Sequence, residues 1–377
     1  MLSRREFLRL MLYTAGGAAL ASCSPQTPPP LPSPTRGGVG GEVSPTPVPT
    51  VPPTSAPSPT IPPTSAPSPT ILPAPTATRT MLPTAAPSPT VAPTATMIAT
   101  PVPPTAFEPY LAVARGTTPG AITRAAIDAL GGIARFVKKD SDVIIKPNIC
   151  NASYGPEYAT TTNPEVIAEL VKMCLAAGAK RVRVMDQPFA GTAIEAYKKS
   201  GIREAVEKVG GQMEVMSAMK YADTGFPKES RDLKKWQVYQ DILKADVVIN
   251  VPIAKTHDIA KVTLAMKNLL GVVMNPPALH PALDQRIADL NTLIKPTLHV
   301  LDAVRTLAVN GPTGGSLDFV VKTNLVMASH DPVALDAYAT KLLFLKKPEE
   351  IGYVKFGAEM GIGRWDLDKL RIKEVTV

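Results

Sequence analysis

From residue 107 to the C-terminus, apolar positions follow two alternating signatures. Short apolar runs at residues 110–115, 142–146, 181–185 and 246–251, bounded by polar or turn residues, predict strands. Between them, apolar residues recur at intervals of three and four and predict helices over 118–137, 165–177 and 192–209, the last with a break. Pro119 behind Thr118, and Pro164 behind Asn163, sit where a helix's first turn leaves the N–H without a partner anyway. Further on, the pattern predicts extended pieces at 213–216 and 236–239 and helices at 259–270, 283–294 and 332–344. Strands at 298–301, 324–328 and 370–375 complete it. Short strands alternating with helices predict an α/β fold, a mainly parallel sheet flanked by helices on both faces. The polar segment 151–162 reads as a loop.

Before residue 107 neither period is present. Most of the 41 prolines fall there, mixed with Thr, Ser and Ala, and residues 51–60 recur as 61–70 with only the first residue changed. Such a composition cannot bury enough apolar surface to offset chain ordering, so residues 23–106 are expected to form an unfolded linker. In polyproline II geometry it would reach roughly 250 Å, at about 3.1 Å per residue. Its Thr and Ser content also permits O-glycosylation. Ahead of it, Arg4 and Arg5 precede a modest apolar run that ends at Ala21-Ser22-Cys23. Residues 1–22 read as a twin-arginine signal peptide, and Cys23 as a lipidation site. The alternative, an uncleaved membrane helix over residues 8–22, is short for about 30 Å of hydrocarbon. The expected location is extracytoplasmic, anchored to the cell membrane through the lipid on Cys23.

The chain carries a formal net charge of +8, of which Arg4, Arg5, Arg9, Arg36 and Arg79 against Glu6 and Glu42 hold +3, leaving +5 on residues 107–377. There, basic and acidic residues interleave and no basic run alternates with aromatics, so nucleic acid is not an expected partner. With Cys23 assigned to lipid, Cys150 and Cys174 remain; both are expected unpaired, since Cys174 lies in an apolar helical stretch. Two cysteines cannot ligate a conventional iron–sulfur cluster, which takes about four.

In parallel sheets, whether one core or two Rossmann-like lobes, ligands gather beyond the carboxyl ends of the strands. The unusual polar residues lie there. Strand 142–146 leads to Lys146 and Asn148, strand 181–185 to Asp186, and strand 246–251 to Asn250, Lys255 and His257. Strand 298–301 leads to Asp302. Each has a structural reading as a turn or helix cap. Independent capping, however, does not explain so many amines, amides and carboxylates at equivalent ends. Lys255, His257 and Lys267 are the candidate catalytic residues, the ammonium groups holding an anion and the imidazole moving a proton. Lys146, Asn148, Thr162, Asn268 and the flexible-loop residues Gly311 and Gly314 are candidate substrate-binding positions. Asp186, Asp302 and Asp336 are candidate ligands for a divalent metal. Asp336 lies one turn inside a predicted helix, where it cannot cap its own N-terminus, whereas Asp331 is a natural N-cap.

Taken in order, several motifs closely resemble those of the domain of unknown function family 362. They are Lys146-Pro147-Asn148, Thr162-Asn163-Pro164-Glu165, the run from Asn250 to His257, Lys267-Asn268-Leu269-Leu270-Gly271, Asp302-Ala303-Val304, Gly311-Pro312 with Gly314, and the run from Asp331 to Asp336. The resemblance covers nearly all of residues 108–377. It implies a similar α/β domain, which in many members is fused to a ferredoxin-like module with two iron–sulfur clusters, and so suggests redox work and a redox or envelope protein partner. This chain lacks the cysteines of that module. Three functional readings remain open. The first is an extracytoplasmic enzyme acting on a small anionic substrate, with a metal or redox cofactor loaded before export. The second is a non-catalytic anion- or metal-binding surface lipoprotein, and the third is a structural surface protein with an inert rim.

Overall fold

A computed structural model describes residues 109–377. The segments expected to form a signal peptide, a lipidation site at Cys23 and a linker lie outside the described residues. Ten strands join one mixed, mainly parallel sheet. At its centre, β2 (Asp142–Pro147), β3 (Arg181–Val184), β7 (Val247–Val251) and β10 (Leu298–Leu307) run parallel. On one side, β11 (Val320–Ser329) pairs antiparallel with both β10 and β1 (Leu111–Arg115), and β12 (Ile372–Thr376) lies parallel to β1. On the other side, β3 carries the two-residue β4 (Gln212–Met213). Among the described residues the sheet is continuous, so the strands build one core and not two lobes.

Strand alternation divides the core. Ile144 packs into one apolar cluster, while its neighbours Val143 and Ile145 pack into the other. The second cluster is completed by α1 (Pro119–Ala129), α2 (Pro164–Ala176), α3 (Ala193–Lys199) and α4 (Ile202–Lys208). The predicted helix over 192–209 is thus two helices with its break at Ser200-Gly201, where Gly201 takes a φ of +71°. The side chain of Asn163 accepts the Glu165 N–H at 2.9 Å and caps α2, a contact of the kind that contributes about 0.5–2 kcal/mol.

The segment predicted as a helix over 259–270 is mostly something else. Pro252 ends β7, and the chain resumes as β8 (Ile253–His257), which also runs beside β10. It turns back antiparallel as β9 (Lys261–Thr263) before a single helical turn, α6 (Ala265–Asn268). Between β6 (Lys235–Tyr239) and β7 a short α5 spans Gln240–Lys244, and β6 pairs with β5 (Tyr221–Gly225) in a separate hairpin. The β-branched Val262 and Thr263 suit a strand, and β10 offers β8 an edge that local periodicity cannot reveal. Strand β10 is correspondingly longer than predicted, because its early residues pair with β7 and its later ones with β8.

The first face is covered by α6, α7 (Leu283–Leu293), α8 (Pro332–Leu343) and α9 (Gly352–Glu359). Helix α9 escaped the sequence pattern. A Cβ at Gly357 would come within 3 Å of Met266 and Val333, so close packing on α6 and α8 demands a residue that weakens helical signals. Among the described residues no helix is long and apolar enough to cross a membrane.

Candidate functional site

The parallel register sets Lys146 opposite Asn250 and Asn250 opposite His299, a polar row across β2, β7 and β10. Lys146 shares its face with Ile144 by the two-residue strand period, so its side chain points to the face covered by α6. All three members of the row are buried.

Two lysines orient the amides around them. An ammonium group donates and never accepts, so it draws the oxygen of any amide it touches. Lys255 Nζ donates to Asn148 Oδ1 at 3.0 Å and to the Thr160 carbonyl at 2.9 Å. Asn148 Nδ2 therefore faces Asn268 and donates to its Oδ1 at 2.9 Å. Lys146 Nζ donates to the same Oδ1 at 3.1 Å, to the Pro147 carbonyl at 3.1 Å, and pairs with Asp186 Oδ1 at 2.8 Å. Asn268 Nδ2 then donates to Asn250 Oδ1 at 2.8 Å, and Asn250 Nδ2 meets His299 Nδ1 at 3.1 Å. The direction forced at one end runs to the other and leaves His299 as a neutral ring protonated on Nε2, consistent with burial holding its pKa down to about 3. Asp186 Oδ2 accepts the Ile149 N–H at 2.6 Å. Burial pushes the Lys146 pKa down and the Asp186 pKa up, and their contact opposes both shifts.

Above this network lies a cavity of about 290 Å³. Lys146, Asn148, Lys255 and Asn268 form its polar floor, while Ile149, Phe189, Leu270 and Pro312 contribute apolar wall. Lys267, on α6, also faces it and is 8% exposed. Among the described residues its Nζ has no hydrogen-bond or ion-pair partner. Burial, with the positive charge of Lys255 behind it, pushes its pKa down to about 7. Among the described residues, the three buried lysines line the cavity with the buried carboxylate of Asp186 and the exposed one of Asp258, an excess of one positive charge when all are ionised.

His257 stands at the rim, at the end of β8. The backbone N–H groups of Ile259 and Ala260 approach its Nδ1 at 3.2 and 3.3 Å. The exposed Asp258 carboxylate lies 2.8 Å from the same nitrogen and favours a proton there. Burial and the Lys267 charge outweigh it, and the ring's pKa is held down to about 4. His257 is therefore neutral at pH 7; the Ile259 and Ala260 N–H groups favour the tautomer with its proton on Nε2, and Asp258 the one with its proton on Nδ1.

Of the residues singled out from the sequence, Lys146, Asn148, Asp186, Lys255, His257, Lys267 and Asn268 all line this cavity. Others build it from outside. Thr162 Oγ1 accepts the Asn148 N–H and donates to the Val251 carbonyl, both at 2.8 Å, fixing the backbone that presents Asn148. Gly311 and Gly314 do not line the cavity. Gly311 packs against Thr256 so tightly that a Cβ would overlap the Thr256 carbonyl, and this seats Pro312 over the cavity instead. Gly314 holds a φ of +65° against Leu307.

The three aspartates do not meet as a metal site. Asp302 accepts the N–H groups of Asn163 and Val304, at 2.7 and 2.9 Å, and ties β10 to the start of α2; burial raises its pKa to about 6. Asp336 accepts the N–H groups of Ala265 and Met266, at 2.7 and 2.9 Å. It caps α6, a helix other than its own, which is why its sequence position offered no cap. Among the described residues no three His, Cys, Asp or Glu side chains cluster as metal ligands.

Three contributors were not singled out as site residues from the sequence. Cys150 is buried and free, lies on the cavity wall, and donates weakly to the Pro312 carbonyl at 3.7 Å. Thr160 acts only through its carbonyl, which no sequence pattern marks. Gly271 abuts the buried ion pair, and a Cβ there would collide with Asp186 and Lys146. Its place directly after Leu269-Leu270 was the available signal.

The fold and site define an α/β protein with a cationic cavity at the carboxyl ends of its parallel strands. Residues 143–341 match the domain of unknown function DUF362, and the chain belongs to that family. The match includes every cavity residue named above. A thylakoid-associated protein of Synechocystis sp. is 28% identical over 231 residues, covering 59% of this chain and 69% of the relative. Among solved structures, the lactate racemase apoprotein of Thermoanaerobacterium thermosaccharolyticum aligns with a TM-score of 0.36 and 14% identity over 58% of this chain and 54% of its own. A Thermotoga maritima protein aligns with a TM-score of 0.32 and 14% identity over 50% of this chain and 51% of its own. This chain spans about half the length of each of these two structures.

Proposed function

We propose that this protein is an enzyme acting on a small anionic substrate, held extracytoplasmically at the membrane by a lipid on Cys23. The observation that carries the anion is Lys267, a buried ammonium facing the cavity with no partner of its own among the described residues. A buried charge left unpaired is costly, and an anion in the cavity would relieve it. Lys146 has three acceptors and serves as scaffold; Lys255 has two and retains a donor for the substrate. In the tautomer that leaves Nδ1 to accept from Ile259 and Ala260, His257 would donate through Nε2 to a substrate oxygen. A lysine with a pKa of about 7 exchanges its proton readily at neutral pH, which suits Lys267 to general acid–base work.

No step is assigned to Asp302 or Asp336, whose oxygens are taken by backbone N–H groups. The test is a panel of small carboxylates and phosphates screened by thermal shift, followed by NMR of the binding compound incubated with the protein. Binding and conversion, both lost in Lys267→Met, support the enzyme. Binding without conversion supports a non-catalytic anion-capturing lipoprotein, and no binding refutes both.

A further inference from the structure

We propose that Lys267 is a covalent catalytic residue that forms an imine with a small oxo acid, whose carboxylate rests on Lys255. This rests on the cavity being an anion site, and it adds the chemical class of the substrate. Among the described residues three lysines face the cavity, and only one of them is free to react. Lys146 is tied to Asp186, Asn268 and the Pro147 carbonyl, and Lys255 to Asn148 and the Thr160 carbonyl. Lys267 has no such ties among the described residues. Ile149, Leu270 and Pro312 supply apolar wall to the cavity it faces, and Lys255 is near enough for its charge to bear on it. Desolvation beside a second cation is the recognised way to make a lysine nucleophilic at neutral pH, because both effects favour the free amine. The tethered Lys255 then serves as that second cation and as the carboxylate's counter-ion. The volume of about 290 Å³ suits a substrate of a few carbons.

The bond changes balance without an outside oxidant or reductant. The ammonium of Lys267 releases one proton, and the amine lone pair forms a bond to the carbonyl carbon. The carbonyl π electrons move to oxygen, which receives the released proton and, in the carbinolamine, can accept a hydrogen bond from His257 Nε2–H. The nitrogen lone pair then expels that oxygen, which leaves as water with the second proton lost from nitrogen. The nitrogen keeps its third proton, so the imine is cationic, and oxo acid and ammonium give iminium and water. That cation is an electron sink adjacent to the substrate's carbon framework.

The experiment treats the protein separately with glyoxylate, pyruvate and 2-oxoglutarate in the presence of sodium borohydride, then reads intact mass and a peptide map. The expected result is a stable reduced adduct on Lys267 with at least one of the three, near-stoichiometric there and only trace on surface lysines. Lys267→Arg, which keeps the charge, is expected to lose it. A thermal shift with each oxo acid is recorded in parallel. Oxo-acid binding that requires Lys267 but gives no adduct overturns the imine and leaves the anion site standing. An adduct that persists in Lys267→Arg assigns the reaction to another lysine and also overturns it. Neither binding nor adduct, with any of the three acids or with the wider carboxylate and phosphate panel, overturns the imine and the anion site together.

Discussion

Asp336, on α8, accepts the backbone N–H of Ala265 at 2.7 Å, and so fixes the first turn of the helix that presents Lys267. The two residues are 71 apart in sequence, and the bond is buried. Asp336 thus acts on the cavity through α6 without reaching it.

Replacing Asp336 with Ala is expected to destabilise the fold by about 1–3 kcal/mol, because it leaves two buried N–H groups without an acceptor. Affinity for the anion should fall as well, since Lys267 loses its anchored helix. Chemical denaturation and titration of the same variant check both. Unchanged stability with unchanged affinity would mean that α6 holds its position without the cap.

Gly271 is the narrowest point beside the Lys146–Asp186 pair. Gly271→Ala would force the pair apart and should cost about 1–3 kcal/mol, as overpacking of a dense interior does. Gly225→Ala in β5, where a Cβ meets nothing within 4 Å, is the control and should stay within about 0.5 kcal/mol. Equal effects at the two glycines would contradict the close approach.

The buried ion pair predicts a non-additive cycle. Lys146→Met or Asp186→Leu alone strands one buried charge and should cost about 3–5 kcal/mol, whereas the double variant should cost clearly less than the sum. Additive losses measured by denaturation would show that the two groups do not depend on each other.

The depressed pKa of Lys267 gives a pH dependence of definite sign. Below about pH 7 both folded and unfolded chains carry its proton, and the fold bears the full cost of burying it. As pH rises from about 7 toward the ordinary lysine range, the unfolded chain holds more protons than the folded one, so this group makes the ligand-free protein more stable. A bound anion favours the ammonium. Affinity for it should therefore be highest below pH 7 and fall above it by up to about tenfold per pH unit. Titrations at several pH values check this, and Lys267→Met should flatten the profile; a profile unchanged by that substitution would remove Lys267 from binding.

Much of the architecture was legible because it is written in local patterns. The apolar runs of β2 and β7 and the capped α2 lie within one or two residues of their predicted positions, and Asp331 caps α8 as expected, accepting the Ala334 N–H at 2.9 Å. The strand-end rule drew Lys146, Asn148, Asp186 and Lys255 together before any contact was known. What escaped depends on partners far away in sequence. The β8–β9 hairpin forms because β10 supplies an edge, and Asp302 and Asp336 are occupied by N–H groups 139 and 71 residues distant. From sequence alone an aspartate capping another element looks the same as one awaiting a metal.

Isothermal titration of the small carboxylate or phosphate that most raises the melting temperature, run at pH 6 on the wild-type protein and on Lys267→Met, bears most directly on the cationic cavity. Saturable binding at one site, weakened at least about tenfold by the substitution, is the predicted result. Equal affinity in both proteins would contradict the account, because the cavity ammonium that has no partner among the described residues would then have no part in holding the anion.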